Sequence, residues 1–264
     1  VWVDNFMSEI QFWANEQAAQ TGQYHENYLK RIECAKGEFK CNRLKKSLEG
    51  NEIILDIGCG VFSQYGRNYN EKELNLIGID PLAHFYNKIN EKAQIGLNNK
   101  VKFGFFEFIS SFWNGDKADV ILIDNALDHC IDPYKSIIEC LKIIRIGGVL
   151  STRHRKCEAI YEGYEGLHKW NIDIDENDEF IIWNDRNKIN VSKNLNEYVD
   201  FEIELNGEQD IIIVQMTLKK SLPNNFYRTV YEDKEALAYV LECIMNKFAD
   251  EKLNHKFGAM LANI

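Results

Sequence analysis

A glycine-containing loop and a later acidic residue are the features of this sequence best suited to chemistry. The segment Asp56-Ile57-Gly58-Cys59-Gly60 closes an apolar run that begins at Ile53. Glycines in such a loop let the backbone turn tightly and approach a ligand, and a following helix offers free N–H groups. Asp80 ends the next apolar run, roughly 20 residues after Gly58, where a carboxylate can accept both hydroxyls of a ribose. This order of strand, loop, helix, strand and acid predicts a site for a nucleoside-containing cofactor.

The same loop departs from the fingerprint of dinucleotide-binding proteins. That fingerprint has a third glycine three residues after the second, and Ser63 occupies that position here. An acid, Asp56, also precedes the first glycine by two residues. A dehydrogenase therefore fits the loop less well, and it stays open as an alternative.

Three of the six histidines are candidates for a general base. Histidine can remove the proton of an alcohol because its ordinary pKa is about 6.5. His129 ranks first, since it closely follows the fourth apolar run, at the edge where open α/β sheets bind ligands. His168 ranks second, in a loop rich in glycine and aromatic residues, and His154 ranks third, after the fifth apolar run.

A short cationic run, Arg153-His154-Arg155-Lys156, stands out on an acidic chain. We expect Arg153 and Arg155 to receive a phosphate or diphosphate on the acceptor, because guanidinium groups bind such anions in a bidentate manner. The rings of Tyr164 and Trp170 can stack on a sugar or a base. A solvated turn is the alternative interpretation of the run.

Residues from about 50 to 153 resemble class I S-adenosylmethionine-dependent methyltransferases of a type 11-like kind. The matching motifs are Asp56-x-Gly58-x-Gly60 after a hydrophobic strand, Ile79-Asp80-Pro81, Glu107 after the third run, Asp119 to His129 around the fourth, and Ile137 to Gly148, in which Ile146 replaces the family's proline. The resemblance implies S-adenosylmethionine as the cofactor and methyl transfer as the activity.

The resemblance also implies which residues hold the cofactor. The implied positions are Asp56, Gly58, Cys59, Gly60, Asp80, Pro81, Phe106, Glu107, Asn125 and Ala126. Among them, Asp80 would hold the ribose hydroxyls, and Phe106 or Glu107 would flank the adenine.

The segment 166–171 looks like that of methyltransferases associated with bacterial surface-polysaccharide genes. On this likeness we expect O-methylation of a hydroxyl on a small polar acceptor, such as a nucleotide-linked sugar, with His168 among the residues that contact it. N-methylation of a small amine and a cofactor-binding module without activity are the alternatives. DNA is disfavoured as an acceptor, because Asp124-Asn125-Ala126-Leu127 lacks the Asn/Asp-Pro-Pro-aromatic tetrad of enzymes that methylate bases in nucleic acid.

No metal site is predicted. The seven cysteines include no C-x-x-C pair, which disfavours zinc. Asp124, Asp128 and Asp132 recur every four residues, but a predicted loop spans them, so the spacing does not imply a shared geometry. Transfer assisted by magnesium through these aspartates is the minor alternative.

The secondary-structure elements that position these residues are predicted to form a parallel sheet. The apolar runs are Ile53–Ile57, Leu74–Asp80, Val101–Phe108 and Val120–Ile123, and a fifth opens at Gly147–Ser151. Runs that are apolar throughout suit strands buried on both faces, and helix-like stretches separate them, as βαβ units require. Together with the resemblance, this predicts an α/β, Rossmann-like fold. We expect a seven-stranded, mostly parallel sheet with helices on both faces, its last strand antiparallel, and extra N-terminal helices.

Flanking segments have their own patterns. Residues 2–48 are predicted to be helical, since apolar residues recur at three and four up to Phe39 and again through Cys41, Leu44 and Leu48. In that helix Lys30, Arg31 and Glu33 would face water.

Later segments also show recognisable patterns. Asp132-Pro133 predicts the start of a helix. Further predictions are a hairpin of 180–183 and 189–191, strands at 201–205 and 211–218, and a capping box at 229–232 before a C-terminal helix.

We expect residues 1–264 to form a single methyltransferase domain. Its parts are an N-terminal helical extension (1–48), a Rossmann-like core (49–220) with an acceptor lid inserted at 154–197, and a C-terminal helix (221–264). The extension and the lid could also form a homodimer interface.

The amino-acid composition and net charge limit the classes of molecule that the chain is expected to bind. Among 264 residues, 31 Lys and Arg face 41 Asp and Glu, a net charge of -10, which argues against binding along a nucleic-acid backbone. No apolar run approaches the roughly 18 residues of a membrane span, and the N-terminus lacks a secretory signature. The first residue, Val1, indicates a trimmed start. An odd number of cysteines fits a reducing compartment, so we expect a cytoplasmic protein.

Overall fold

The computed structural model describes residues 2–97, 100–207, 210–223, 225–227 and 230–264. In this part of the chain the strands, in chain order, are β1 (Ile53–Ile57), β2 (Asn68–Tyr69), β3 (Lys72–Glu73), β4 (Asn75–Asp80), β5 (Lys102–Phe103), β6 (Ala118–Asp124), β7 (Ile144–Arg155), β8 (Asn171–Ile174), β9 (Phe180–Trp183), β10 (Lys188–Asn190), β11 (Val199–Asn206) and β12 (Ile211–Leu218). The helices are α1 (Phe6–Gln11), α2 (His25–Lys36), α3 (Ala83–Ala93), α4 (Ile109–Phe112), α5 (Pro133–Ile143), α6 (Glu158–Tyr161), α7 (Val191–Leu195), α8 (Val230–Phe248) and α9 (Glu251–Leu261). Short 3-10 turns lie at Trp2–Asn5, Phe106–Phe108 and Leu127–His129, and a π-helical turn lies at Phe12–Ala18.

The main sheet has seven strands in the order β11-β12-β7-β6-β1-β4-β5. The pairs among β7, β6, β1, β4 and β5 are parallel, and β12 runs antiparallel to both of its neighbours. The predicted Rossmann-like α/β fold, with its last strand antiparallel, is therefore confirmed. A separate three-stranded sheet, β10-β9-β8, contains the predicted hairpin.

The central strands are buried on both faces, as their continuous apolar sequences predict. Leu55 and Ile121 pack on the side that α5 covers. Ile54 and Leu122 pack on the opposite side, against Phe39. Successive side chains of a strand point to opposite faces, so each central strand contributes to two hydrophobic layers. This arrangement brings the carboxyl ends of β1, β4 and β6 to one edge of the sheet.

The prediction of helix up to residue 48 was wrong beyond Lys36. The chain after Gly37 crosses the sheet in an irregular conformation, and the backbone N–H of Phe39 donates to the carbonyl of Asn68 at 2.7 Å. Cys41 and Leu44, which suggested a helix, pack against the hydrophobic layer around Phe39 instead. The spacing of these apolar residues therefore reflects their burial against the sheet and not a helical period.

The third predicted strand, 101–108, was too long. β5 covers only Lys102–Phe103, and the chain then turns at Phe106–Phe108. A strand would send consecutive side chains to opposite faces, whereas Phe105, Phe106 and Phe108 are all buried. Beyond β5 the main sheet has no further strand in the described residues, and the turn buries these three rings.

The C-terminal region contains two helices, where one was predicted. Asp250 interrupts the helical run and caps α9, its carboxylate accepting from the N–H groups of Lys252 and Leu253. The predicted apolar face of α8 is confirmed, with Ile244 buried against the N-terminal helices. The capping box begins at Thr229, which lies outside the described residues.

No helix in the described part of the chain is both long enough and apolar enough to cross a membrane.

Candidate active site

A cavity of about 710 Å³ lies at the carboxyl ends of β1, β4 and β6. Its lining includes all ten positions that the sequence analysis assigned to cofactor binding. The N-terminal segment supplies part of the opposite wall through Trp2, Phe6, Glu9 and Trp13. The sheet edge and the N-terminal helices together enclose one ligand-sized space.

The loop after β1 is shaped by two glycines that no other residue could replace without strain. Gly58 and Gly60 have φ angles of +70° and +67°, a conformation that side chains other than glycine rarely adopt. A Cβ on Gly58 would lie 2.6 Å from the Cβ of Ala126, and one on Gly60 would lie 2.6 Å from the ring of Trp13. The two glycines thus let Ala126 and Trp13 pack closely on the loop, and both glycines line the cavity.

Asp80 is held rigidly at the end of β4. Its carboxylate accepts from the N–H of Leu82 at 2.8 Å and from the N–H of Gly60 at 3.1 Å. Burial raises the pKa of Asp80 to about 8, although these two hydrogen bonds act to lower it. A buried carboxylate fixed in this way can accept hydrogen bonds from the hydroxyls of a bound ribose.

Two further buried carboxyls line the same cavity. Burial raises the pKa of Asp56 to about 7, and nearby Asp124 adds to the rise. Burial likewise raises the pKa of Glu107 to about 7. The Glu107 carboxylate accepts from the N–H of Ile131 at 2.6 Å and of Asp132 at 3.2 Å, which fixes its position below the turn before α5.

Asp128, His129 and His168 form a compact group that we call the histidine cluster. Nδ1 of His168 lies 2.6 Å from Oδ2 of Asp128 and 3.2 Å from Nε2 of His129. Nε2 of His129 lies 3.6 Å from the same Asp128 oxygen. Asp128 is fully buried, and both histidines line the cavity. The two highest-ranked candidate bases therefore meet in one place, on either side of a carboxylate.

The charges within the histidine cluster stabilise one another. Burial alone would raise the pKa of Asp128, but His129 and His168 hold that pKa below its usual value. Burial would lower the pKa of His168, but its hydrogen bond with Asp128 raises that pKa above the usual value.

Residues 55–152 match a family model described as a methyltransferase domain. Residues 55–152 therefore have the sequence features of a methyltransferase domain. The match covers the glycine loop, Asp80, Glu107 and the segment around His129, so it coincides with the sheet edge that borders the cavity.

Solved structures of methyltransferases are similar to this chain at low identity. A carbon methyltransferase, CurJ, shares 18% identity over 67% of this chain with a TM-score of 0.46, and this chain spans about half of its length (51%). The N-methyltransferase NodS from Bradyrhizobium japonicum WM9, in complex with S-adenosyl-L-homocysteine, shares 12% over 82% of this chain and 99% of its own, with a TM-score of 0.44. An O-methyltransferase family protein from Burkholderia thailandensis shares 11% over 76% of this chain and 60% of its own, also at 0.44. Similarity at this level carries no information about the acceptor. No curated protein matches the chain.

The two arginines of the cationic run, Arg153 and Arg155, lie outside the described lining of the cavity. The guanidinium of Arg155 stacks on the ring of Tyr161 at 3.7 Å. His154 is buried, and burial lowers its pKa to about 4. Neighbouring residues of a strand face opposite sides, so Arg153 and Arg155 share one face of β7 and His154 points to the other.

Tyr164 and Trp170 also lie outside the set of described residues that line the cavity. The indole N–H of Trp170 donates to the carbonyl of Cys130 at 3.1 Å. The hydroxyl of Tyr164 accepts from the side-chain amide of Asn171 at 2.8 Å. Both rings serve the packing of the segment that carries His168.

Several cavity residues were not identified from the sequence. The prediction that Arg31 faces water was wrong, since it lines the cavity beside Gln64. Lys30 and Glu33 are exposed as predicted. The density of aromatic residues among the first 13 positions, including Trp2 and Trp13, was the available signal for an N-terminal wall.

The three evenly spaced aspartates do not converge. Asp124 pairs with Arg43 at 2.6 Å, and Asp132 caps α5 by accepting from the N–H of Lys135 at 3.0 Å. Asp128 alone faces the histidines. A magnesium site built from all three is therefore not formed.

Proposed function

We propose that this protein transfers the methyl group of S-adenosylmethionine to a hydroxyl oxygen on a small polar acceptor. The observation that carries the proposal is a single cavity that contains both a nucleoside-type cofactor site and the histidine cluster. S-adenosylmethionine supplies an electrophilic methyl group on a sulfonium sulfur and leaves as S-adenosylhomocysteine. The chain itself must bind that cofactor, orient the acceptor and deal with the hydroxyl proton.

The residues at the edge of the sheet fit the cofactor. Gly58 and Gly60 line the cavity with backbone atoms alone, and the Asp80 carboxylate is placed to hold a ribose. Phe106 and Glu107 would flank the adenine, with Asn125 and Ala126 approaching from the end of β6. We add Arg31, since its Nε is buried without a hydrogen-bond partner among the described residues. Its guanidinium can pair with the carboxylate of the methionine part.

The histidine cluster supports oxygen as the methylated atom. A hydroxyl must lose its proton as the new bond forms, whereas a neutral amine needs no such help. His129 and His168 lie in the cavity with Asp128 behind them, an arrangement suited to activating a hydroxyl. His154, which is buried away from the cavity lining, is the least suited of the three predicted bases.

The charge of the cavity bears on the acceptor. Eight of its lining residues carry carboxyl groups, namely Glu9, Asp56, Asp80, Glu107, Asp124, Glu158, Glu162 and Glu165. Arg31 is the one guanidinium in the described lining. Three of these glutamates share the wall that carries His168, and they would repel a diphosphate. A neutral or cationic acceptor fits better than the nucleotide-linked sugar expected from the sequence.

N-methylation of a small amine is the second candidate, and the same carboxyl groups favour it. A protonated amine would be attracted to Glu158, Glu162 and Glu165 before losing its proton. An O-methyltransferase would depend on the histidine cluster for turnover, and an N-methyltransferase would depend on it far less.

The proposal also covers how the chain is divided into a domain and a lid. We propose that residues 1–264 act as one methyltransferase domain and that 154–197, which carries His168 and the small sheet, serves as the acceptor lid. We also propose that the protein forms a homodimer through this segment or through the N-terminal helices. The molar mass of the protein in solution tests this hypothesis.

Release of S-adenosylhomocysteine from a panel of acceptors tests the proposal. The panel should contain matched neutral sugars, amino sugars and nucleotide sugars. With an acceptor found, His129→Ala and His168→Ala should each lower kcat by about 100-fold or more while S-adenosylhomocysteine still binds. His255→Ala, on an exposed position of α9, is the matched control and should change nothing. Full turnover in both cluster variants would contradict O-methylation through this cluster.

Calorimetric titration tests the cofactor assignment separately. S-adenosylmethionine and S-adenosylhomocysteine should bind, and Asp80→Asn should weaken both. Binding of NAD in their place would support the dehydrogenase alternative and overturn the proposal.

A further inference from the structure

We propose that Asp128, His129 and His168 form a binding site for a divalent transition-metal cation. The site itself follows from the geometry of the histidine cluster. Its use in activating the acceptor hydroxyl rests on the proposed function. The sequence predicted no metal site here, because Asp128 and His168 are 40 residues apart and only the fold joins them.

The distances suit a metal ion. Each residue offers one ligand atom, and the three atoms lie within 4.8 Å of one another. Their separations are 2.6, 3.2 and 3.6 Å. In a tetrahedral site with bonds of about 2.0–2.1 Å, neighbouring ligand atoms are about 3.3 Å apart. A cation just outside the plane of the three atoms could therefore reach all of them with little movement.

The hydrogen bonds of the cluster are poorly satisfied without a cation. Nδ1 of His168 has two neighbours within hydrogen-bond distance, Asp128 and His129, and can offer them at most one proton. The second oxygen of Asp128, Oδ1, is buried and has no hydrogen-bond partner among the described residues. An unpartnered buried carboxylate oxygen is costly. Coordination through Oδ2 and the two imidazole nitrogens would use the converging lone pairs together, and the charge of the cation would offset part of the cost of the unpartnered Oδ1.

The type of ligand indicates the type of metal. Two imidazole nitrogens and one carboxylate oxygen suit Zn²⁺, Co²⁺ or Fe²⁺ better than Mg²⁺, which prefers oxygen. Three protein ligands leave a coordination position open, as in catalytic zinc sites. His129 and His168 line the cavity, so the open position can face an acceptor.

The surroundings can accommodate the added charge. Glu158 and Glu162 line the cavity beside the cluster, and Oε2 of Glu158 is buried without a partner in the described residues. The proposed dication would therefore lie where the negatively charged side chains outnumber the positively charged ones. A hydroxyl on its open position would lose its proton to solvent more easily, the electron pair of the broken O–H bond staying on the metal-bound oxygen.

Metal binding to the full chain tests this inference without any acceptor. Protein treated with a chelator and then freed of it should bind one Co²⁺ per chain, with visible absorption bands that Zn²⁺ removes by displacement. His129→Gln and His168→Gln should each weaken Co²⁺ binding by at least about 100-fold, since the loss of even an outer partner of a metal site costs 10–100-fold. Their side chains are partly exposed, at 22% and 25%, so these variants should fold. Retained binding of S-adenosylhomocysteine verifies this.

His255→Ala is the control for binding to surface histidines, and it should bind Co²⁺ as the unaltered protein does. Absence of Co²⁺ and Zn²⁺ binding up to about 100 μM, or unchanged binding in both cluster variants, would overturn the inference. Methyl transfer that persists with no metal bound would leave the proposed function standing and overturn the role of the metal in activating the acceptor hydroxyl. Metal binding without transfer to any hydroxyl would leave the metal site standing and overturn the proposed function.

Discussion

Arg31 lies in a different environment from the one that the sequence pattern predicted for it. Its helix, α2, presents Lys30 to water, while Arg31 reaches the cavity and stacks on Trp13, 5.1 Å from the ring centre. Burial lowers the pKa of Arg31, and the nearby carboxylates of Asp56 and Asp124 raise it in part. The guanidinium thus stays in a site where a ligand carboxylate can complete its hydrogen bonds.

Replacing Arg31 by Met should weaken binding of S-adenosylhomocysteine about tenfold or more, since a hydrogen bond to a charged group contributes about 1.5–3 kcal/mol. Isothermal titration measures the change. Lys30→Met is the matched control, because Lys30 is the exposed neighbour. Equal affinities of the two variants would remove Arg31 from the cofactor site.

At the scale of elements, the N-terminal helices and the loop after β1 depend on each other. Trp13 packs on the backbone of Gly60, and its indole N–H donates to Glu9 at 2.8 Å. The predicted helical extension thus forms a wall of the cavity.

Gly60→Ala should abolish measurable binding of S-adenosylhomocysteine and lower the melting temperature. Gly147→Ala is a matched control, because Gly147 has a similar φ of +76° but no atom within 4 Å of an added Cβ. The control isolates the cost of the backbone conformation, about 1–2 kcal/mol. If both variants bind the ligand alike, the contact with Trp13 does not shape the site.

The irregular segment after α2 is tied to the sheet by a buried ion pair. Arg43 contacts Asp124 at 2.6 Å, and it also donates to the hydroxyl of Ser151 at 3.0 Å. Tyr65 donates to the same aspartate. These contacts, together with apolar packing, replace the helix that was predicted there.

Arg43→Met should destabilise the fold by about 3–5 kcal/mol, since it leaves a buried carboxylate without its cation. Urea unfolding followed by circular dichroism measures this. Lys45→Met, which removes an exposed pair with Glu202, should leave the unfolding midpoint nearly unchanged. Similar midpoints for both variants would show that the segment is held by apolar contacts alone.

For the whole molecule, the buried carboxyls of the cavity link stability to pH. Burial raises the pKa of Asp80 to about 8 and those of Asp56 and Glu107 to about 7. The folded protein therefore holds these protons at a pH where the unfolded chain, with pKa values near 4, has lost them. The stabilisation is complete below pH 4 and is lost as the pH rises towards 8.

The melting temperature of the ligand-free protein should accordingly fall between pH 6 and 8.5, and Asp80→Asn should flatten the decline. S-adenosylmethionine, a cation, should raise the melting temperature more at pH 8.5 than at pH 6. Differential scanning calorimetry in buffers of equal ionic strength measures both trends. A melting temperature that rises with pH would contradict the assigned protonation of these groups.

The sequence by itself determined the main sheet and the edge at which the predicted cofactor residues meet. Asp56 and Asp80 end consecutive parallel strands, and the ends of such strands meet at one edge whatever the rest of the chain does. A local motif was therefore enough to place them.

Only the tertiary structure decided what surrounds that edge. It joined His168 to Asp128 across 40 residues, turned Arg31 and Trp13 inward, and distributed Arg153, His154 and Arg155 over opposite faces of β7. These outcomes depend on how separate elements pack, and spacing along the chain carries no information about contacts between distant segments. The proposed chemistry of the acceptor depends on such contacts and therefore required the structure. The cofactor was inferred from local motifs and did not require it.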